Sequence, residues 1–288
     1  MAVITFRSND ALRINPPSGD QHLTVNGSDW LWTVFAIYAC SFIVVVLHSF
    51  FARAGEKVFH YIYGIALLVG SIAYFTMASD FGWIAISNLE NKDFAATRQM
   101  FYAKFINWVV LFPSVALSLG LMSGVSWATI IYHIFLAWTW IIAYLATSVV
   151  ATTYKWGYYT VGTVVWILLA FGTLYEGLRA ARRVGIVRDY CILAGWTNLL
   201  WLLYPIAFGV SDAGNKIGVT ASFIFYGILD VLLIPGLTFL TLTLARNWDY
   251  NKLNIVFTQY GRVPIANGEF AEKAQVPAPA PLTDSAAV

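Results

Sequence analysis

Seven stretches, each of roughly the 20 apolar residues that carry a helix across a bilayer, leave this chain few folds to choose from. They run Trp30–Ala52, Val58–Met77, Phe101–Met122, Trp127–Thr152, Tyr158–Leu178, Tyr190–Val210 and Val219–Ala245. Charged residues make up 11% of the chain, less than half of the roughly 25% usual in soluble domains. The fold class these stretches predict is an all-α membrane protein, a bundle of seven transmembrane helices. The connections are too short to hold a second folded domain. Residues 1–29 read as a polar N-terminal segment, 30–246 as the bundle, and 247–288 as a tail. From about residue 261 the tail turns Pro/Ala-rich (Val276-Pro277-Ala278-Pro279-Ala280-Pro281), a composition that predicts disorder.

Lys and Arg predict the orientation. With the N-terminus outside, the cytoplasmic connections hold eight (Arg53, Lys57, Arg179, Arg182, Arg183, Arg188, Arg246, Lys252) and the outer ones four (Lys92, Arg98, Lys155, Lys216). The N-terminus is therefore expected outside and the C-terminus in the cytoplasm. The polar first segment, with Pro16-Pro17, has no cleavable signal pattern, so the first helix is expected to act as its own insertion signal. The net charge of +2 is spread over short loops, which argues against a nucleic-acid surface. Cys40 and Cys191 fall inside expected helices and read as small buried hydrophobes. The longest loop, Ala78 to Met100, alternates enough to form a short hairpin and could equally be irregular. Asn26-Gly27-Ser28 fits a glycosylation acceptor that lies almost against the first helix.

Within the last stretch Asp230 puts a carboxylate in the middle of otherwise uncharged residues, a costly position that usually carries function or its remnant. Ile234 follows one helical turn later. In the third stretch Lys104, Asn107, Trp108 and Leu111 share one helical face. Lys104 either extends toward the interface or pairs with Asp230, and the pair offsets the desolvation each charge suffers alone. The latter is the expected intramembrane charge pair. Tyr204 in the sixth stretch is a candidate donor to Asp230. His48 and His133 read as helix-packing residues, not ligands.

At these positions the chain resembles the microbial rhodopsins. Lys104-Phe105-Ile106-Asn107-Trp108 with Pro113 is similar to their third helix, Trp201 with Tyr204-Pro205 to their sixth, and Leu229-Asp230-Val231 to their seventh. Tyr74 matches a further pocket tyrosine. The resemblance implies a vestigial retinal pocket of Tyr74, Asn107, Trp108, Trp201, Tyr204, Phe208, Asp230 and Ile234. It also implies departures: Ile234 stands where the family carries the retinal-binding lysine, Asn107 where it has the proton-acceptor acid, and Ser118 where pumps have a donor acid. A Schiff base requires a primary amine, so no covalent retinal is expected.

Phrases such as Ala73-Tyr74-Phe75-Thr76-Met77-Ala78-Ser79-Asp80 resemble the fungal opsin-related, heat-shock-type subgroup. That resemblance implies a stress-associated protein of the plasma membrane, a modulator of other membrane proteins such as a proton pump or a membrane chaperone. Alternatives from other classes are a binder of a non-covalent apolar ligand (a retinoid or sterol) and an ion transporter or channel. The expected partners are the lipid bilayer, other plasma-membrane proteins and further copies of the chain. Hydrolase triads, metal-ligand spacings and phosphate-cradling glycine loops are absent from the sequence, so an enzyme is not expected, nor any metal.

Overall fold

The computed structural model describes residues 9–53, 55–88, 90, 95–250 and 253; the Pro/Ala-rich tail lies outside them. Among the described residues seven helices are long and apolar enough to span a membrane: α1 Val25–Ser49, α2 Lys57–Ala78, α3 Ala103–Ser123, α4 Trp127–Val149, α5 Lys155–Val184, α6 Val187–Ala213 and α7 Val219–Ala245. The protein is a multi-pass integral membrane protein. The first helix begins at Val25, earlier than hydropathy suggests, because the Thr24 side chain caps it by accepting from the Gly27 amide at 3.3 Å.

Three of the helices contain a widened π turn, at Gly172–Glu176 in α5, Gly209–Ala213 in α6 and Leu232–Gly236 in α7. Such bulges re-aim the side chains beside them, and two of them flank the residues described below. Both α5 and α6 run past the boundaries read from sequence, at each end. Cys40 and Cys191 are exposed on the outside of the bundle, not buried. A small apolar side chain gains nothing by facing inward when its outer surroundings are lipid.

The loop after α2 forms a hairpin, β1 Trp83–Ser87 with β2 Thr97–Phe101, antiparallel with Trp83 opposite Phe101. The N-terminal segment lies along its other edge, where Gln21 forms a parallel bridge with Arg98. The Gln21 amide donates to Thr97 O at 3.1 Å and Gln21 O accepts from the Gln99 amide at 2.9 Å. Asp20 accepts from the Thr97 amide and hydroxyl, both at 2.9 Å, and these bonds hold its carboxyl below the usual carboxylate range. Asp80, just past α2, is 2% exposed, and burial holds its carboxyl above the usual range although Gln99 donates to it at 2.7 Å. Together these strands cap one end of the bundle, the hairpin end. The opposite end carries Arg53, Lys57, Arg179, Arg182, Arg183, Arg188 and Arg246.

Candidate functional site

The centre of the bundle is organised around the Asp230 carboxylate, which is 2% exposed. The Tyr204 hydroxyl of α6 donates to Oδ1 at 2.5 Å, and the Trp108 indole of α3 donates to it at 3.1 Å. On Oδ2, the Tyr74 hydroxyl of α2 donates at 2.6 Å and the Asn107 amide of α3 at 3.4 Å. Tyr38 of α1 donates to the Asp230 carbonyl at 2.8 Å. Two ionised oxygens offer about four acceptor sites, and neutral donors from three other helices fill them. Charge-assisted bonds of this kind are the stronger sort. The arrangement satisfies a buried carboxyl group to which no cation among the described residues is bonded.

The expected Lys104–Asp230 pair is not formed. The Lys104 ammonium, 4% exposed, makes its hydrogen bond and ion pair with Asp212. Lys104 lies three residues before Asn107, about 4.5 Å nearer the hairpin end at 1.5 Å per residue. At that level the π turn Gly209–Ala213 aims Asp212 inward, while the oxygens of Asp230 are already occupied. Asp212 also sits 3.5 Å from Arg98 Nε and accepts from Tyr226 at 3.4 Å. Arg98, 1% exposed, reaches from β2 into the bundle. Its guanidinium donates to Gln21 Oε1 at 2.5 Å, Ile217 O at 2.7 Å and Ser222 Oγ at 3.2 Å.

Sequence reading missed both Arg98 and Asp212. Arg98 counted as a loop charge, and the sixth apolar stretch was closed at Val210. The series Trp201, Tyr204, Phe208 continues at helical spacing to Ser211-Asp212, so the face they share was a usable signal. Arg98 had no comparable signal, because its burial depends on residues far away in the chain.

Of the remaining residues expected in the pocket, Trp201, Phe208 and Ile234 are each 0% exposed. Phe112 of α3 fills the space among the aromatic rings. Its centroid lies 6.0 Å from Trp108, 5.9 Å from Trp201, 4.9 Å from Tyr204 and 4.9 Å from Trp140. Phe208 stacks on Tyr144 at 4.3 Å. Toward the basic end, Ser118 bonds the Tyr63 hydroxyl at 2.6 Å, and Tyr63 reaches Thr241 at 3.2 Å, tying α2, α3 and α7 together. His133 packs against Gly172, where an added Cβ would meet its Nε2 at 2.2 Å. His48 stacks on His60 with an Nδ1–Nε2 separation of 2.7 Å. Among the described residues no cluster of three metal-ligating side chains occurs.

No described lysine nitrogen is hydrogen-bonded to or ion-paired with Asp230. Lys104 bonds Asp212, and Lys155 bonds Ala213 O at 2.5 Å. Lys57 begins α2 and Lys216 lies in the α6–α7 connection. The arrangement can hold a fixed anion and transmit helix packing. Among the described residues no amine is bonded to the carboxylate; the Lys104 ammonium is held by Asp212.

A family profile described as bacteriorhodopsin-like protein matches residues 26–247. Protein FDD123 of Trametes versicolor is 38% identical over 244 residues, 84% of this chain and 86% of that protein. The 30 kDa heat shock protein of Saccharomyces cerevisiae is 31% identical over 252 residues, 77% of this chain and 74% of that protein. A crystal structure of a light-driven proton pump from Leptosphaeria maculans superposes with a TM-score of 0.73 at 28% identity, covering 79% of this chain and 98% of the pump.

Proposed function

The chain belongs to the bacteriorhodopsin-like protein family, with fungal opsin-like and heat-shock-named relatives, and we propose that it is a non-photochemical member acting by contact with other membrane components. The observation that carries this reading is Ile234, fully enclosed one turn after Asp230, with each described lysine amine engaged or located elsewhere. The residues present do not fit a retinal tethered as an imine, because the tether needs an amine at the heart of the bundle. Two further features support the reading: Asn107 offers no carboxylate to accept a proton, and Phe112 occupies the gap between Trp108 and Trp201. A retained scaffold without these groups suits a stress-associated modulator or chaperone of the plasma membrane, with the N-terminus outside and the basic end in the cytoplasm. Its partners would be other membrane proteins, a proton pump among them, or further copies of the chain.

The test is reconstitution of the purified protein with all-trans retinal. The expected outcome is no visible absorption band and no light-dependent proton flux in liposomes. A band that survives denaturation as a protein-linked imine sinks the reading. Proximity labelling in the native membrane, with and without heat stress, then addresses the partner. Enrichment of particular membrane proteins is expected; labelling indistinguishable from that of an unrelated seven-helix protein counts against an interaction role.

A further inference from the structure

At the basic end an open groove of about 600 Å3 runs between α1 and α2. Phe42, Val45 and Val46 of α1 and Gly64, Ile65 and Leu68 of α2 form its apolar walls, and Ser49, Lys57 and His60 stand at its mouth. From Phe42 to Ser49 and from Lys57 to Leu68 the groove follows the helices for about 10 to 16 Å, at 1.5 Å rise per residue. That is about half of a 30 Å hydrocarbon core, the depth of a single leaflet. Gly64 makes the notch: a Cβ added there would meet nothing within 4 Å.

The cation lining the mouth among the described residues is Lys57. Lys57 makes no side-chain hydrogen bond or ion pair among the described residues. Outside the groove, Arg246 lines a neighbouring hollow with His48, to whose Nε2 it donates at 3.3 Å, and Arg53 donates to the Arg246 carbonyl at 2.8 Å. Neither is in an ion pair, since the ion pairs among the described residues are Arg13–Asp10, Arg98–Asp212 and Lys104–Asp212. Glu56, beside Lys57 in the chain, accepts from the Arg53 amide at 3.1 Å.

We infer that this groove binds an anionic phospholipid, its phosphate at Lys57 and Ser49 and one acyl chain along Gly64 to Leu68. A cation at the water-facing end of an apolar channel one leaflet deep matches a charged headgroup on a hydrocarbon chain. A sterol would use the channel and leave the ammonium without a partner, and free phosphate would ignore the channel. The inference does not depend on the non-photochemical reading and survives its failure.

The full chain, purified in detergent, is titrated with phosphatidylserine, phosphatidylcholine, ergosterol and inorganic phosphate and followed by native mass spectrometry. Phosphatidylserine, with its net negative headgroup, is expected to bind more tightly than phosphatidylcholine, and Lys57→Gln to weaken it about fivefold, the effect of losing one cation near a headgroup, with a smaller loss for phosphatidylcholine, whose phosphate is balanced by its own choline. Gly64→Phe fills the notch and is expected to weaken both phospholipids. Gly64→Leu repeats that test with a smaller side chain should Gly64→Phe fail to fold. Equal binding of the two phospholipids, unchanged binding in the folded Gly64 variants, preferential ergosterol binding, or competition by inorganic phosphate would each overturn the inference.

Discussion

Tyr74 and Tyr204, on α2 and α6, donate to opposite oxygens of Asp230 at 2.6 and 2.5 Å. With Trp108 and Asn107 they make the carboxylate a junction of four helices, stabilised by neutral dipoles instead of a counter-cation. Removing one hydroxyl leaves an ionised acceptor short of a partner. Tyr204→Phe and Tyr74→Phe are each expected to destabilise the detergent-solubilised protein by about 1.5–3 kcal/mol, the range for hydrogen bonds to charged groups. Thermal melts of either variant that coincide with the parent's would show that the junction is not structural.

Lys104 answers to Asp212. Thermodynamic cycles built from Lys104→Met, Asp212→Leu and Asp230→Leu are expected to give a larger coupling energy for Lys104 with Asp212 than for Lys104 with Asp230. Asp212→Leu strands two cations, whereas Lys104→Met leaves Arg98 beside the carboxylate, so the former is the more damaging single change. Stranding a buried charge costs about 3–5 kcal/mol. The reverse order of couplings would restore the pair expected from sequence.

The aromatic centre makes a prediction about ligands. Phe112→Ala removes the ring that touches Trp108, Trp140, Trp201 and Tyr204, at a cost of about 3–5 kcal/mol. The parent is expected to give a flat tryptophan-fluorescence titration with retinal, and the variant a saturable quench. Saturable quenching in the parent would mean that space for a retinoid exists without the substitution.

Asp80 sets a pH dependence at the hairpin end. Burial lifts its carboxyl above the ordinary value of 3.8, so in the window just above that value the folded protein holds a proton that the unfolded chain has released. Stability therefore falls as pH rises through the folded-state titration and is level above it. Asp80→Asn keeps an oxygen for Gln99 and suits the positive φ of 59° at this position. The variant is expected to melt higher than the parent at pH 7, with the gap closing toward pH 4. A gap that does not vary with pH would rule out the carboxyl as its origin.

The seven helices were legible because a bilayer imposes length and apolarity on every crossing segment, a strong local signal. Tyr74, Trp108, Tyr204 and Asp230 could be singled out because polar groups at bilayer depth are scarce and must be satisfied. Which cation met which acid was not legible. That choice turned on Asp212, which a sixth stretch closed at Val210 by hydropathy left out although the face of Trp201, Tyr204 and Phe208 continues to it. Arg98 was hidden for a related reason: a charge count places it in a loop, and only the packing of Gln21, Ile217 and Ser222 around it explains its burial. Cys40 and Cys191 misled because the rule that apolar residues face inward loses its force where the solvent is lipid.

Gln21 near the start of the chain and Ile217 near its last helix both bind the Arg98 guanidinium. A ribosome adding roughly 5–20 residues per second delivers the second of these contacts on the order of 10–40 s after the first. Through that interval the opening segment has no completed seat, and the hairpin guanidinium lacks its partners Asp212, Ile217 and Ser222. Closure of the hairpin end is thus a late event in biogenesis, and a nascent chain arrested before its final crossing would still carry a loose leading strand.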